Sequence, residues 1–315
     1  MDNPIEAKGL TRVFGDLVAV NSINLSINEG EVFGFLGPNG AGKSTAVRML
    51  TTLLKPSGGS AKVAGYDVAS EASMVRKKIG VALQDAAIDP LMTGNELLKL
   101  QAVLHGITRQ DAKIRCPELL ERVGLTAAGD KRVGTYSGGM RRRLDLALSL
   151  VHRPKVLFLD EPTTGLDPTS RVALWEEVRT LNKEIGTTVF LTTQYLEEAD
   201  QLAQRIAIID NGQIVREGSP AALKSDVGAP TLRVDVVDSD FEIAKQVMTE
   251  LGEERPARKG RIAIGLTGGT RAITVVLKAL EDQNIEVQHV ELDEPSLDDV
   301  FADATGRRLE GGGDT

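Results

Sequence analysis

A glycine-rich stretch near the amino terminus has the residue types and spacing that hold a phosphate group. It reads Gly37-Pro38-Asn39-Gly40-Ala41-Gly42-Lys43-Ser44-Thr45 and fits the pattern G-x-x-x-x-G-K-[ST]. Glycines let backbone N–H groups approach an anion closely, and the start of a following helix adds favourable partial charge. In this pattern the lysine reaches the β- and γ-phosphates and the hydroxyl holds Mg²⁺. The stretch therefore predicts that Lys43 binds nucleotide phosphates and that Ser44 is a Mg²⁺ ligand.

Two adjacent carboxylates supply a second element of the same chemistry. The apolar segment Leu157-Phe158-Leu159 ends in Asp160-Glu161-Pro162. Asp160 is suited to support Mg²⁺, directly or through water, and Glu161 to polarise a water that attacks the γ-phosphate. Adjacent acids in a loop are usually solvated surface. Their place after an apolar strand, in a chain with the phosphate-binding stretch, favours a catalytic role.

A third segment, Tyr136-Ser137-Gly138-Gly139-Met140, precedes an amphipathic helix. A serine and two glycines at a helix start form an anion-binding turn. Such a turn is common in loops and is weak evidence by itself. Its position shortly before the acidic pair makes Ser137, Gly138 and Gly139 candidate phosphate contacts.

The elements around these segments predict an α/β fold. An apolar run at residues 32–36 predicts a buried strand before the phosphate loop, and residues 46–50 predict a helix after it. Strands and helices alternate again over residues 144–191, which indicates a mostly parallel sheet with helices on both faces. Residues 93–123 are helical in pattern, with a break expected near Cys116-Pro117. Leu97, Leu100, Gln101 and Leu104 are predicted on one face, with Leu98 beside them.

The pattern also breaks at residues 224–230, where we place a linker. We therefore expect a nucleotide-binding domain over residues 1–225, with a helical subdomain at about 85–150, a small α+β domain over 226–308, and a disordered tail over 309–315. The C-terminal domain carries no catalytic motif. Its residues Leu297, Val300 and Phe301 predict a packing face, and we interpret the nearby acid pairs as solvated or helix-start charges. Our hypothesis for this domain is a role in dimerisation or regulation.

Composition narrows the class of protein. The 315 residues are 41% apolar and 26% charged, typical of a globular protein, and the net charge of −8 gives no overall attraction to nucleic acid. The single cysteine, Cys116, excludes an intrachain disulfide and fits a reducing cytoplasm. The first residues do not resemble a secretory signal, and there is no apolar run of about 18 residues. If the chain works at a membrane, another protein must bring it there.

The three motifs, in this order, resemble the nucleotide-binding subunit of an ATP-binding cassette (ABC) transporter. Thr164-Gly165-Leu166-Asp167 resembles the family's D-loop, and Gln84 resembles the glutamine of its Q-loop. Phe14 stands where the family keeps an aromatic residue that stacks on adenine. The resemblance covers roughly residues 5–225 and implies a P-loop NTPase fold, an ABC-type nucleotide-binding domain with a helical subdomain, that binds ATP and Mg²⁺.

The resemblance further implies a head-to-tail homodimer. ATP would lie between residues 37–45 of one subunit and Ser137-Gly138-Gly139 of the other, with Asp167 coupling the two sites. Gln84 would contact Mg²⁺ and the attacking water, and would pass the nucleotide state to the helical insert. In transporters that insert receives a helix from the membrane subunit.

Two residues depart from the family pattern. Tyr136 stands in place of the usual leucine, and Gln194 stands in place of the histidine that contacts the γ-phosphate. The three histidines of the chain lie elsewhere, at positions 105, 152 and 289. A glutamine amide donates a hydrogen bond to phosphate but carries no titrating charge. We therefore predict hydrolysis at a modest rate, without a pH dependence controlled by a histidine.

Further segments, at residues 141–147, 194–203 and 295–301, resemble the daunorubicin/doxorubicin-resistance type of bacterial drug-export ATPase. This implies a subunit at the cytoplasmic face of the membrane that powers efflux through a separate permease. The alternatives are export of lipid, polysaccharide or ions, and a soluble ABC protein of DNA repair or translation. The last usually has coiled coils, zinc cysteines or two cassettes, all missing here. We interpret the arginines at 141–143 as a solvated helix face and expect no nucleic-acid partner.

Overall fold

The computed structural model describes residues 3–83, 88–237, 239–255, 260–266 and 270–307. The strands in these ranges are β1 (Ile5–Phe14), β2 (Leu17–Ile27), β3 (Val32–Leu36), β4 (Gly58–Val63), β5 (Tyr66–Asp67), β6 (Ile79–Ala82), β7 (Val156–Asp160), β8 (Thr188–Thr193), β9 (Arg205–Asp210), β10 (Gln213–Gly218), β11 (Thr231–Val236), β12 (Glu253–Glu254), β13 (Arg261–Gly265) and β14 (Val287–Asp293). The helices are α1 (Lys43–Leu50), α2 (Ala72–Arg76), α3 (Gly94–Leu104), α4 (Arg109–Arg122), α5 (Gly138–Ser149), α6 (Pro168–Ile185), α7 (Leu196–Leu202), α8 (Pro220–Val227), α9 (Phe241–Leu251), α10 (Thr270–Asp282) and α11 (Leu297–Thr305). Two short 3₁₀ turns occupy Thr126–Ala128 and Val133–Thr135. The chain divides into a first unit that extends to residue 220, together with Arg307, and a second unit over residues 221–306.

A six-stranded sheet in the order β10-β9-β3-β8-β7-β6 forms the centre of the first unit. Five of its strands are parallel, and β10 pairs antiparallel with β9 at one edge. Every residue of β3, β7 and β8 is buried, as expected for strands covered by other elements on both faces. The ring of Phe190 lies 5.5–5.7 Å from the rings of Phe33, Phe35 and Phe158, which locks these three strands together on one face. The predicted α/β fold is confirmed.

A second sheet of the first unit, in the order β2-β1-β4-β5, is antiparallel. Ile23, Leu25 and Ile27 of β2 are buried while the residues between them are exposed. This is the alternation that the sequence predicts for a half-buried strand. The buried side of the sheet joins Phe33 and Phe35 of β3 in one hydrophobic cluster.

Two predictions about the helical insert are wrong. In α3 the buried residues include Leu97, Leu98 and Ala102, whereas Leu100 is 44% exposed and Leu104 is 69% exposed. The inner face is set by contact with α4 and α5, and this rotates it away from the predicted stripe. The expected break at Pro117 is also wrong, because α4 continues through it to Arg122. Proline removes one helix hydrogen bond, and the burial of the α4 residues Cys116, Leu119 and Leu120 outweighs that loss.

The second unit has a four-stranded antiparallel sheet in the order β12-β13-β11-β14. Its hydrophobic cluster combines residues of β11, β13, α9 and α10. The expected linker is partly helical, because α8 continues to Val227 with Leu223 buried. In α11, Leu297, Val300 and Phe301 are buried as predicted, and Asp299 forms a capping box with Ser296. None of the helices in the described ranges has the length and apolarity that a membrane crossing requires.

A pair of stacked histidines gives the first unit a predicted sensitivity to acid. The ring of His152 lies 3.8 Å from the ring of His105, and its Nε2 is 2.9 Å from the carbonyl oxygen of Ile79. Burial lowers the pKa of His152 to about 4, and the neighbouring His105 acts in the same direction. The folded chain therefore favours neutral His152, whereas the unfolded chain protonates it below about pH 6.5. This contribution to stability is complete above pH 6.5 and is lost as the pH falls towards 4.

We expect His152→Gln to reduce the loss of folding stability between pH 7.5 and pH 5. The glutamine amide keeps a hydrogen bond to Ile79 but does not titrate. Because the ring is partly exposed, the gap in the free energy of unfolding between the two pH values should shrink by roughly 1–2 kcal/mol. Urea unfolding at both pH values measures it. The matched control is His289→Gln, since His289 is exposed. Equal pH dependence in wild type and His152→Gln would contradict the assignment.

Candidate functional site

The phosphate loop connects β3 to α1 and needs glycine at two positions. Gly42, the residue before α1, has a φ of 107°, and a Cβ there would lie 2.4 Å from the carbonyl oxygen of Ala19. A Cβ on Gly37 would lie 2.3 Å from the carbonyl oxygen of Ile209. Gly42 also offers no side-chain oxygen to the first N–H groups of α1. Those donors are therefore left for another acceptor, which is the property that suits an anion site.

Lys43 is a buried cation at the centre of the site. Its side chain is 4% exposed, and its Nζ donates to the carbonyl oxygens of Gly37 (2.8 Å) and Pro38 (3.1 Å). The same Nζ lies 3.4 Å from Oε1 of Glu161. Burial lowers the pKa of the Lys43 ammonium, while the charges of Glu161 and Asp160 act in the opposite direction. The structure thus joins the phosphate loop to the acidic pair through one ion pair.

Ser44 and Asp160, the two predicted Mg²⁺ ligands of the described residues, lie next to each other. The hydroxyl of Ser44 donates to Oδ1 of Asp160 over 3.2 Å, and the hydroxyl of Thr192 donates to the same oxygen. Within the described ranges no cluster of three or more His, Cys, Asp or Glu residues could hold a metal. A hydroxyl and a carboxylate fit Mg²⁺, which typically takes one or two protein oxygens and completes its shell with water and phosphate. Gln84 lies outside the described residues.

Glu161 has an unusual backbone. Its φ is 48°, a left-handed conformation that side chains other than glycine adopt rarely. Its N–H donates to Thr192, to the carbonyl oxygen at 3.0 Å and to Oγ1 at 3.1 Å. The side chain is 6% exposed, and Oε2 accepts a bond of 3.4 Å from Thr164. Strained backbone of this kind is concentrated at functional sites, where the surrounding contacts hold it.

The serine-glycine turn begins α5, and it is held from the helical insert. Ser137 caps the helix by accepting from the N–H of Met140 at 3.2 Å, and both Ser137 and Gly138 are exposed. Tyr136 is buried and donates to the carbonyl oxygen of Ala128 over 2.6 Å. The departure from leucine at this position therefore adds an anchor and leaves the turn free. Within the described residues, no hydrogen bond or ion pair joins Ser137, Gly138 or Gly139 to the phosphate loop.

Asp167 and Phe14 both lie at the surface. Asp167 caps α6 by accepting from the N–H and the hydroxyl of Ser170, and these bonds hold the pKa of its carboxyl below the usual value. Phe14 ends β1 with its ring 43% exposed, and the guanidinium of Arg12 lies 4.4 Å from the ring centroid. An exposed aromatic ring of this kind can stack on a nucleotide base.

Gln194 follows the buried strand β8, and the residues after it are well anchored. The ring of Tyr195 lies 4.8 Å from the guanidinium of Arg171. Glu198 of α7 is fully buried, and its Oε1 accepts a bond of 3.0 Å from the indole of Trp175. Burial raises the pKa of the Glu198 carboxyl. These contacts fix the segment that carries Gln194 to α6.

Sequence reasoning missed Thr192 and misjudged Arg142. Of the three arginines interpreted as a solvated helix face, Arg141 is exposed, but the side chain of Arg142 is only 11% exposed. Arg142 donates to the backbone carbonyl oxygens of Asp160, Glu161 and Pro162. The sequence contains only an indirect indication of the role of Arg142. A buried turn after a parallel strand needs donors for its carbonyls, and the sequence does not say which residue supplies them.

Two protein-family models match the chain. A model described as ABC transporter matches residues 20–164, and a model described as ATP-binding protein DrrA1-3-like, C-terminal domain, matches residues 218–305. The two matches together cover most of both units.

Relatives and solved structures agree with these models. The chain is 46% identical over 310 residues to the daunorubicin resistance ATP-binding protein DrrA2 of Streptomyces coeruleorubidus, covering 97% of this chain and 96% of that protein. It is also 46% identical over 309 residues to the daunorubicin/doxorubicin resistance ATP-binding protein DrrA of Streptomyces peucetius, covering 96% and 92%. A solved ATP-binding cassette, a dimer in a post-hydrolysis state bound to ADP and Pi, superposes with a TM-score of 0.63 at 27% identity, covering 68% of this chain and 98% of that one.

Proposed function

This chain belongs to the ABC transporter family of ATP-binding proteins, and from that premise we propose that it hydrolyses ATP as a homodimer to power efflux of a drug or antibiotic through a separate membrane permease. The ATPase proposal rests on the contacts among Lys43, Ser44, Asp160 and Glu161, which lie together at the carboxyl ends of β3 and β7. We take residues 1–225 as the nucleotide-binding domain, with the helical subdomain at about 85–150, and residues 226–308 as the C-terminal domain.

The phosphate loop supplies binding and charge neutralisation. Residues 39–45 surround the phosphates of ATP with backbone N–H groups, and Lys43 exchanges its bonds to Gly37 and Pro38 for phosphate oxygens. Ser44 and Asp160 would hold Mg²⁺, which supplies positive charge beside the β- and γ-phosphates. Phe14 stacks on the adenine. Gln84 is proposed as a further contact of Mg²⁺ and of the attacking water.

Glu161 is the proposed general base. Its carboxylate, held near Lys43, orients a water molecule and takes a proton from it as the water oxygen bonds to the γ-phosphorus. The bond between that phosphorus and the β–γ bridging oxygen breaks, and ADP leaves with the electron pair. Gln194 donates a hydrogen bond from its amide to the γ-phosphate, where a histidine would offer a titrating charge. Most of the rate enhancement then comes from positioning and from charge stabilisation around the transferred phosphoryl group.

Two copies of the chain complete each site. The exposed Ser137-Gly138 turn of one copy would contact the γ-phosphate that Lys43 of the other copy holds, and the exposed Asp167 would lie at the same interface. Support comes from the exposure of this turn, which no hydrogen bond or ion pair of the described residues joins to the phosphate loop, and from the solved dimeric cassette. Both chains then contribute to every ATP site.

We propose a permease contact from an exposed apolar surface, and we propose the cargo from the names of the relatives. Leu100, Val103 and Leu104 form an exposed apolar strip on α3, which suits a helix of the permease at the cytoplasmic face of the membrane. The relatives are named for daunorubicin resistance, so a hydrophobic drug is the favoured cargo. Lipid, polysaccharide or ion export is the alternative, because the ATPase need not touch its cargo. A soluble non-transport role is less favoured.

We expect the chain to confer drug export when it is produced together with a polytopic membrane protein that an adjacent gene encodes. In a daunorubicin-sensitive bacterial host, cells that produce the pair should accumulate less daunorubicin than cells that produce the membrane protein alone. Glu161→Gln should abolish the effect, while Glu176→Gln, at an exposed position of α6, should preserve it. Unchanged daunorubicin with an active ATPase would overturn the drug assignment and leave the other cargoes.

A further inference from the structure

Arg142 bridges two separate parts of the catalytic region. Its Nε donates to the carbonyl oxygen of Pro162 over 2.8 Å, and its Nη2 donates to the carbonyl oxygens of Asp160 (2.8 Å) and Glu161 (3.0 Å). Its Nη1 donates to the carbonyl oxygen of Leu83 over 2.6 Å. One largely buried side chain thus donates to four backbone carbonyls, three of them at residues 160–162.

We propose that Arg142 is a positioning residue for ATP hydrolysis, which holds the backbone turn at Glu161 so that its carboxylate faces the γ-phosphate. The inference rests on the proposed ATPase activity. It concerns a residue that lies in α5, outside the phosphate loop and the acidic pair, and that acts on the reaction only through Glu161.

The turn needs an external support because of its conformation. Glu161 has a left-handed φ of 48°. Because β7 ends at Asp160, the carbonyl groups of Glu161 and Pro162 lie beyond the strand and its sheet hydrogen bonds. A backbone in this region persists only where its surroundings hold it. The guanidinium has five N–H donors in a rigid plane, and hydrogen bonds from a charged donor are stronger than neutral ones. A lysine has three donors around one point and cannot reproduce this arrangement.

Asp145 supports Arg142 from the same helix. Its Oδ2 lies 3.5 Å from Nη1 of Arg142, and the two side chains are 11% and 12% exposed. Burial raises the pKa of the Asp145 carboxyl to about 6, and the charge of Arg142 acts in the opposite direction. A guanidinium with so little exposure to water needs a nearby carboxylate and satisfied hydrogen bonds, and the site supplies both.

The position of Arg142 also links motifs. Ser137 caps the helix in which Arg142 lies, and Leu83 immediately precedes Gln84. In the proposed dimer, ATP held by the partner would contact Ser137, so α5 would connect that contact to Glu161 of the same chain. Arg142 is the one side chain of the described residues that bonds both to Leu83 and to the Glu161 turn.

The test separates turnover from binding. For Arg142→Gln and Arg142→Lys we expect kcat for ATP hydrolysis to fall about 100-fold, as small displacements of catalytic groups do. The Kd for ATP, from calorimetry, should stay within about threefold, because Arg142 does not contact the phosphate loop. Arg141→Gln is the matched control and should keep wild-type kcat and Kd, since Arg141 is exposed on the same helix.

Three outcomes would overturn the proposal. The first is a kcat within about threefold of wild type in both Arg142 variants, which exceeds what a misplaced base allows. The second is recovery of kcat by lysine, which would show that charge alone is needed. The third is loss of ATP binding in parallel with kcat, which would show a general structural role. A wild-type chain that does not hydrolyse ATP would contradict the proposed function itself, whereas an active wild type with active Arg142 variants contradicts only the role of Arg142.

Discussion

Glu161→Gln is expected to lower steady-state ATP hydrolysis at least about 100-fold, the lower range of what a general base contributes. Glutamine has nearly the same shape as glutamate but cannot take a proton from water at neutral pH. ATP binding should persist and tighten slightly, because the change removes a negative charge 3.4 Å from the ammonium of Lys43. Phosphate release at saturating ATP and Mg²⁺ measures turnover, and calorimetry measures binding.

Glu176→Gln is the matched control for this prediction. It makes the same chemical change on an exposed face of α6, away from Lys43, and should leave hydrolysis at the wild-type rate. If Glu161→Gln hydrolysed ATP within about threefold of wild type, Glu161 could not be the base, because that role contributes at least about 100-fold.

Gly138→Asp is expected to weaken ATP-dependent dimerisation by about 100-fold or more, because like charges brought together at an interface cost several kcal/mol. In the proposed dimer this position faces the γ-phosphate held by the partner. Within its own chain, a Cβ on Gly138 meets no atom within 4 Å, so the substitution should not disturb the monomer. Light scattering with ATP, in chains that also carry Glu161→Gln to prevent turnover, measures the dimer.

Two further measurements make the Gly138 prediction specific. ATP binding to the Gly138→Asp monomer should be unchanged. In a monomer the nucleotide is bound by Lys43 and Ser44 of its own chain, and Gly138 contacts only the nucleotide held by a partner. Ala127→Asp adds the same charge at an exposed position of the helical insert and should dimerise normally. Wild-type dimer affinity in Gly138→Asp would rule out the head-to-tail arrangement.

The sequence was most informative where a function depends on local spacing. The glycine-rich loop between β3 and α1 could be predicted because its glycines, lysine and serine lie within nine consecutive residues whose backbone sets their directions. The family resemblance and the α/β class followed from such segments, and the comparisons confirm both. The prediction of the buried face of α3 is wrong at Leu100 and Leu104. A short leucine-rich helix has several apolar faces that could be buried, and tertiary packing decides which one is.

Other features depend on partners far along the chain. The sequence predicts a solvated face for Arg142, whereas its partners in the structure are the backbone carbonyls at positions 83 and 160–162. Every residue has a carbonyl, so no residue type marks these as acceptors. The contact of Thr192 could not be predicted for a similar reason. Threonine is common in buried strands, and only the structure shows that its hydroxyl donates to Asp160. The continuation of α4 through Pro117 likewise reflects burial that local propensity does not contain.

Trp175 is the only tryptophan of the chain, and its indole donates to the buried carboxylate of Glu198. Glu198 belongs to α7, which begins two residues after Gln194. Indole emission responds to the charge and polarity of its surroundings, and here those surroundings include Glu198 of α7, the helix that follows Gln194. We therefore expect Trp175 fluorescence to report changes in the Gln194 segment of the native chain without an added label.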